Sequence, residues 1–436
     1  MRWAWALLCA APLVAAPVEL SMKRAVQLAV SPEGNARVQL TEEALKQAES
    51  RSAQSRAALL PDLSGAFTEE SATRSLTAMG LQLTLPIPGF QFPTFVGPFT
   101  TMDARVSASQ SVFDFSSIRR FQASKVGVGA AKADVNGSAE QVAALVARAY
   151  LAAVRADADV EAAKANRTLS EAVLKQAENQ KAAGTGTGIE ITRARVQLAN
   201  DRQRLLVAEN GRRAAGLQLL RAVGLRLDTE LVLTDKLQYV AVDAVTMEQA
   251  KAQALKERPD LEAQQERESS ARLSASATKL ERLPTVAAFG DYGSSGVGFD
   301  NSMPTRTIGI SVRVPLFDGG RRDARRAESA SQYRAEKVKT NDLKEQIELD
   351  VRLALDTLRS AEEQVKVSKE GLDLAENELA QARRRYEAGV AIGVEVTDAQ
   401  SRLERARDNQ TDALYNYNVG RIDLAQAMGA VRKSVE

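Results

Sequence analysis

Two periodicities alternate along this chain of 436 residues. From Thr307 to Leu316 the period is two: Ile308, Ile310, Val312 and Val314 share one face, and Thr307, Gly309, Ser311 and Arg313 the other. Ala104 to Phe113 repeats the pattern, with Ala104, Val106, Ala108 and Val112 facing away from Arg105, Ser107, Ser109 and Ser111. Leu63 to Ser71 and Thr285 to Gly293 are weaker partners that carry Phe67, Phe289 and Tyr292. Each segment has about the 9–11 residues a tilted strand needs to cross a bilayer. A soluble antiparallel sheet alternates in the same way. The long, charged helices of this chain leave few elements to cover such a sheet.

Beyond Phe113-Asp114 and Phe317-Asp318 the period changes to coiled-coil steps of four and three. In the second stretch the seam runs Ile347, Val351, Ala354, Leu358, Ala361, Val365, Ser368, Leu372, Ala375, Leu379, Ala382 and Tyr386, with Ser368 its one polar member. Positions 205 earlier give the same stripe from Val142 to Lys181, broken at Arg167, Ser170 and Lys181. A second set at seven-residue steps includes Leu353, Val367 and Leu374. Two seams on one helix suit a tube of helices better than a simple pair. Helices over about 115–183 and 319–388 are predicted, each roughly 100 Å long at 1.5 Å per residue. Each ends at a glycine, Gly184 or Gly389, and a helix of about 36 residues returns; the second return has a seam from Val396 through Leu403 and Tyr417 to Ala427. Tyr386, Tyr415 and Tyr417 read as packing residues.

The two halves are copies of one design. Gly184 and Gly389 are 205 apart, as are Gly188 and Gly393, Glu190 and Glu395, and Leu198 and Leu403. Val112-Phe113-Asp114 pairs with Leu316-Phe317-Asp318 at 204, and Leu60-Pro61 with Leu283-Pro284 at 223. A constant offset over more than a hundred residues marks a duplication, and the change from 223 to 204 places a 19-residue insertion in the first copy. The predicted organisation is a first repeat over 16–224 with a β-hairpin about 62–113, and a mixed linker over 225–245. A second repeat follows over 246–429 with a β-hairpin about 285–316, then a short tail over 430–436. Shorter helices are predicted over 21–30, 41–60, 246–257 and 260–282. The insertion includes Pro86, Pro88, Pro93 and Pro98 among four phenylalanines. Prolines exclude it from the interior of a sheet, so it is predicted to be an extracellular loop.

Arg2, the apolar run from Trp3 to Val14, and Ala15-Ala16 follow the order of a secretory signal, predicted to span 1–15. The chain has no histidine and one cysteine, Cys9, which removes His–Cys zinc sites, histidine triads and disulfide frameworks. Carboxylates are plentiful but spread along helices, so neither an enzyme nor a cofactor or metal site is expected. With 58 Lys and Arg against 56 Asp and Glu, the net charge of +2 argues against a nucleic-acid partner.

Four membrane-length strands cannot close a barrel, and each unpaired backbone group in hydrocarbon costs several kcal/mol. Several chains must therefore share one barrel; three would supply twelve strands, an even number within the known range. The order LLPDL, hairpin, VFDF, long helix, AGTGTGIEITRA, then RLPTV, hairpin, PLFDGGRR, long helix, AGVAIGVEVTDAQ resembles the outer-membrane efflux protein (TolC-like) family. The resemblance covers essentially all of the chain after the signal. It implies a mixed α/β membrane protein: a homotrimer with a 12-stranded outer-membrane β-barrel, four strands per chain, continuing into a periplasmic α-helical coiled-coil barrel. It also implies docking to a periplasmic adaptor protein and an inner-membrane pump, and a passive duct that exports small molecules such as drugs. The outer component of a type I protein secretion system is the alternative, and a coiled-coil envelope protein that forms no channel is a third reading.

The candidate functional residues lie at the helix-hairpin turns. Glu395 and Asp398 are three apart, on one face of the returning helix. Where family members carry acidic rings at the periplasmic entrance, a trimer of this chain would place six carboxylates, attracting cations and gating the opening. Capping of the positive helix end is the alternative role for these acids. Their first-copy counterparts are Glu190 and Arg193, and a salt bridge from Arg193 to Asp398, within or between chains, would hold the tip closed. Gly184, Gly188, Gly389 and Gly393 are expected in the turns, where glycine takes positive φ, with adaptor docking nearby.

Overall fold

A computed structural model describes residues 18–81, 93–241 and 245–435. In chain order the elements are β1 (Val18–Leu20), α1 (Met22–Val30), α2 (Ala36–Ala57), β2 (Asp62–Ser75), β3 (Phe95–Phe113), α3 (Phe115–Ala182) and α4 (Gly188–Val223). Then come β4 (Leu231–Leu233), α5 (Met247–Glu257), α6 (Pro259–Leu280), β5 (Thr285–Gly296), β6 (Ser302–Arg313), α7 (Arg321–Glu387), α8 (Gly393–Ala427) and α9 (Val431–Val435). The order helix, helix, strand, strand, long helix, returning helix thus runs twice. The predicted signal and the first half of the insertion, with Pro86 and Pro88, fall on residues 1–17 and 82–92, outside the described ones.

One unit holds residues 46–130 and 264–339. Its centre is a four-stranded antiparallel sheet in the order β2-β3-β5-β6. Register puts Leu63, Phe67, Val106, Tyr292, Ile308 and Ile310 on one face, and these side chains are exposed, Ile308 at 85%. The opposite face carries Ser64, Asp103, Arg105, Asp291 and Thr307. The first-copy strands run to 14 and 19 residues against 12 for each second-copy strand.

This corrects the expectation for Pro98, which lies inside β3 and not in a loop. Pairing of β3 with β5 begins only at Met102, and the β2 ladder shifts register between Ala72 and Arg74. Among the described residues Pro98 therefore stands where one side of the strand is unpaired and the other is bulged, so no ladder bond is lost.

The repeated Phe-Asp landmark has a local cause. Asp114 accepts from the backbone N–H groups of Ser116 and Ser117 at 2.9 and 3.1 Å and from both hydroxyls, capping α3. Burial pushes its carboxyl up, and these hydrogen bonds outweigh burial and hold it below the usual carboxylate range. Asp318 likewise accepts from the backbone N–H of Arg322 at the start of α7, at 3.1 Å. A short carboxylate side chain placed here stops the strand and satisfies free amides of the helix.

The other unit, residues 18–45, 131–263 and 340–435 among those described, holds the helical packing. Ten of the twelve positions of the second-copy seam are buried, Ile347 and Val351 completely. The two exceptions are Ser368 and Leu372, both half-buried. Ser368 donates to Gln410 of α8 at 2.7 Å, so the two polar seam members satisfy each other and fix the register of α7 against α8. Leu353, Val367 and Leu374, the second set, are exposed. The linker forms β4, parallel to β1, with Leu231, Leu233 and Leu237 against the core. Beyond β4, Tyr239 packs its ring on Tyr417, 4.9 Å between centroids. The tail is not free: Glu140 accepts from the N–H groups of Val431 and Arg432, at 2.8 and 3.3 Å, and caps α9.

Candidate functional site at the helix-hairpin turns

The first tip turns at Gly184, with φ +77°, and the second at Gly389, with φ +72°. Each follows a long helix, and the left-handed conformation ends it without the cost a Cβ would add. Gly188 and Gly393 do not share this geometry, which corrects the expectation for them. They are the first residues of α4 and α8, and neither has positive φ.

At the first tip Thr187 and Glu190 form a capping box, the Thr187 N–H donating to Glu190 Oε2 at 3.0 Å. At the second, Glu395 in the first turn of α8 pairs with Arg385 of α7 at 3.1 Å. Both acids therefore have a capping or pairing role within the chain, in keeping with the positive end of a helix. Asp398, one turn on, is exposed, and so is Arg193. No ion pair links Asp398 to Arg193 among the described residues of the chain. Each side chain projects from its own returning helix into solvent, and it is Arg195 that pairs, with Glu178 at 3.2 Å.

The tips are joined instead through Tyr386, which donates its hydroxyl to Gln180 of α3. Burial, followed by the nearby Glu190 carboxylate, pushes the Tyr386 phenol up. Glu190 and the Tyr386 ring both reach the position of Gly393, 3.6 and 3.7 Å from where its Cβ would stand. Tyr386 is thus more than the packing residue that its seam position indicates. Its ring closes the apolar cluster of Leu379, Ala382, Val396 and Leu403, while its hydroxyl crosses to the other hairpin.

A buried polar node on α3, α4 and α8 also escaped sequence reasoning. Ser170 donates to Asp201 and accepts from Gln400 at 3.0 Å, Gln197 donates to Asp201 at 3.1 Å, and Arg204 donates to Glu404. Asp201 and Glu404 are 1% and 4% exposed. Burial pushes the Glu404 carboxyl up, with Asp201 adding to the shift and Arg204 opposing it. The one available signal was Ser170 as a break in the first-copy stripe. Among the described residues no group of three or more His, Cys, Asp or Glu is placed to hold a metal ion.

The model of the outer membrane efflux protein family matches residues 32–225 and 251–430. The chain belongs to this family. It is 23% identical over 320 residues to the alkaline protease secretion protein AprF of Pseudomonas aeruginosa, covering 72% of this chain and 66% of AprF. To the outer membrane protein TolC of Vibrio cholerae it is 22% identical over 294 residues, 66% of this chain and 67% of TolC. The aligned stretch thus spans about two thirds of these relatives' own lengths. In fold it is similar to the CmeC outer membrane channel of Campylobacter jejuni, with a TM-score of 0.81 at 16% identity over 94% of this chain and 85% of CmeC. VceC of Vibrio cholerae gives 0.78 at 18% identity over 94% and 96%. As a member of the family the protein resides in the outer membrane, with its long helices in the periplasm. Its relatives are channels, not enzymes.

Proposed function

We propose that three copies of this chain form a passive duct that carries small toxic molecules from a periplasmic adaptor and inner-membrane pump to the exterior. The observation that carries this reading is the open sheet. Its outer strands β2 and β6 each leave one edge unpaired among the described residues, and one face is apolar and exposed. In hydrocarbon such edges are untenable, and joining β6 of one copy to β2 of the next removes them. Three copies give a twelve-stranded barrel, and the exposed second stripe at Leu353, Val367 and Leu374 then meets a neighbouring helix pair.

In this assembly the exposed Asp398 and Arg193 face the narrow periplasmic entrance, and Glu395 stands beside them. The Tyr386–Gln180 contact holds the two hairpins together in the closed state, and the Arg385–Glu395 pair braces the second tip. Asp398 of one copy and Arg193 of the next close the ring. Single-channel recordings test this: Asp398→Asn should weaken block by divalent cations and Arg193→Ala should raise the open probability. Conductance and block unchanged in both variants would refute the gate.

A second reading, export of proteins, is favoured by the relatives named for protease secretion, AprF and PrtF of Dickeya chrysanthemi. Growth of a deletion strain on toxic compounds, with its secreted proteins compared side by side, separates the two cargoes.

A further inference from the structure

The polar face of the sheet carries a charge cluster that the gate does not use. In the row of Arg105 the neighbours on β2, β5 and β6 are Ala66, Gly293 and Thr305, all small. The row on either side holds one charge each, Asp103 and Asp291, among serine, threonine and methionine. Arg105 reaches both. Its Nε donates to Asp103 Oδ1 at 2.6 Å, its Nη2 to Asp103 Oδ2, and its Nη1 to Asp291 Oδ1 at 3.2 Å.

Gly293 is what permits this. It stands opposite Arg105, and a Cβ there would fall 2.5 Å from Arg105 Cβ and 2.4 Å from the Ala104 carbonyl oxygen. No other residue fits without moving the strand. The side chain of Arg105 therefore has room to lie along the sheet and bridge β3 to β5, held by three charge-assisted hydrogen bonds.

We infer that Asp103 and Asp291 set the ion preference of the barrel lumen, with Arg105 as the positioning residue that pins them to the wall. The inference rests on the duct proposed above, in which this face lines the lumen. Two carboxylates and one guanidinium give each copy a net charge of −1 at this height, repeated three times around the barrel. A ring of fixed negative charge on a low-dielectric wall concentrates cations over anions. The small residues in the Arg105 row keep the passage wide, so the cluster selects by charge and not by size.

The test is the reversal potential of full-length channels in a planar bilayer under a KCl gradient. All forms carry Glu395→Gln and Asp398→Asn, so that the periplasmic tip does not dominate. The parent is expected to prefer K+. Asp103→Asn with Asp291→Asn leaves only the guanidinium in these three rows, and the K+ preference should fall. Arg105→Gln leaves net −2, and the K+ preference should deepen. Heat-modifiable migration on a gel checks that each variant assembles. If all three conduct with the same reversal potential, the cluster is only a cross-strand lock and the inference is overturned. If the parent forms no pore, the duct reading falls, and this inference with it.

Discussion

Tyr150 offers a sharp test of how the helical unit holds its strap of two short strands. The side chain is fully buried in α3, and its hydroxyl donates to the Leu20 carbonyl of β1 at 2.9 Å and accepts the Asp235 N–H at 3.2 Å. Tyr150→Phe keeps the ring and removes only the oxygen. The groups left behind are not stranded: Leu20 retains the Thr234 N–H at 3.2 Å, and Asp235 is exposed, so water replaces its lost partner. The expected loss is the net worth of two hydrogen bonds, about 1–3 kcal/mol. It should appear as faster hydrogen exchange at Thr234 and in β1 and β4, with the seam between α7 and α8 unchanged. A pH signature accompanies it. Burial holds the Tyr150 phenol up to about 12, against about 10 in the unfolded chain. The folded state keeps a proton that the unfolded state releases, so stability is intact below pH 10 and lost as pH rises towards 12. Phenylalanine has no such loss, and the gap between the two proteins should close above pH 10. Equal exchange rates at neutral pH, or a gap that does not change with pH, would refute this account of the strap.

Three further outcomes are expected. Glu404→Gln removes a buried carboxyl whose affinity for protons is raised by burial, so wild-type stability falls as pH rises through and above the ordinary glutamate range; in thermal melts the variant should gain on the wild type over that range. Ile347→Ala, at a fully buried seam position, should cost about 2–4 kcal/mol, whereas Leu353→Ala, exposed in one chain, should weaken the trimer against heat in gels and leave helix content unchanged. Tyr386→Phe releases Gln180 at the tip and should raise the spontaneous open probability in bilayers without altering assembly.

The long helices and their returning partners were legible because the seam is nearly continuous: Ile347 through Tyr386 repeat at steps that packing imposes on any helix. The strands were legible from alternation at Ile308 to Val312, and their pairing order follows from two hairpins laid side by side. The long extension of β3 was not, because proline is read as a breaker and nothing in the sequence tells that the Pro98 edge is unpaired and bulged. At the tips, Gly184 and Gly389 could be placed because only glycine takes positive φ cheaply. The Tyr386–Gln180 contact could not, since it joins two hairpins some 200 residues apart. The same holds for Ser170, Asp201, Gln400 and Glu404, each an ordinary polar residue until three helices bring them together. The aspartate of the Phe-Asp landmark shows in the sequence as a repeat, and its capping role shows only in the folded chain.

In the proposed trimer a shared wall completes a sheet which one chain leaves open. Native mass spectrometry of the detergent-extracted protein measures this directly. The expected result is one species with the mass of three chains, persisting until the detergent or heat that also abolishes conductance. A stable single-chain species that inserts and conducts unaided would contradict it.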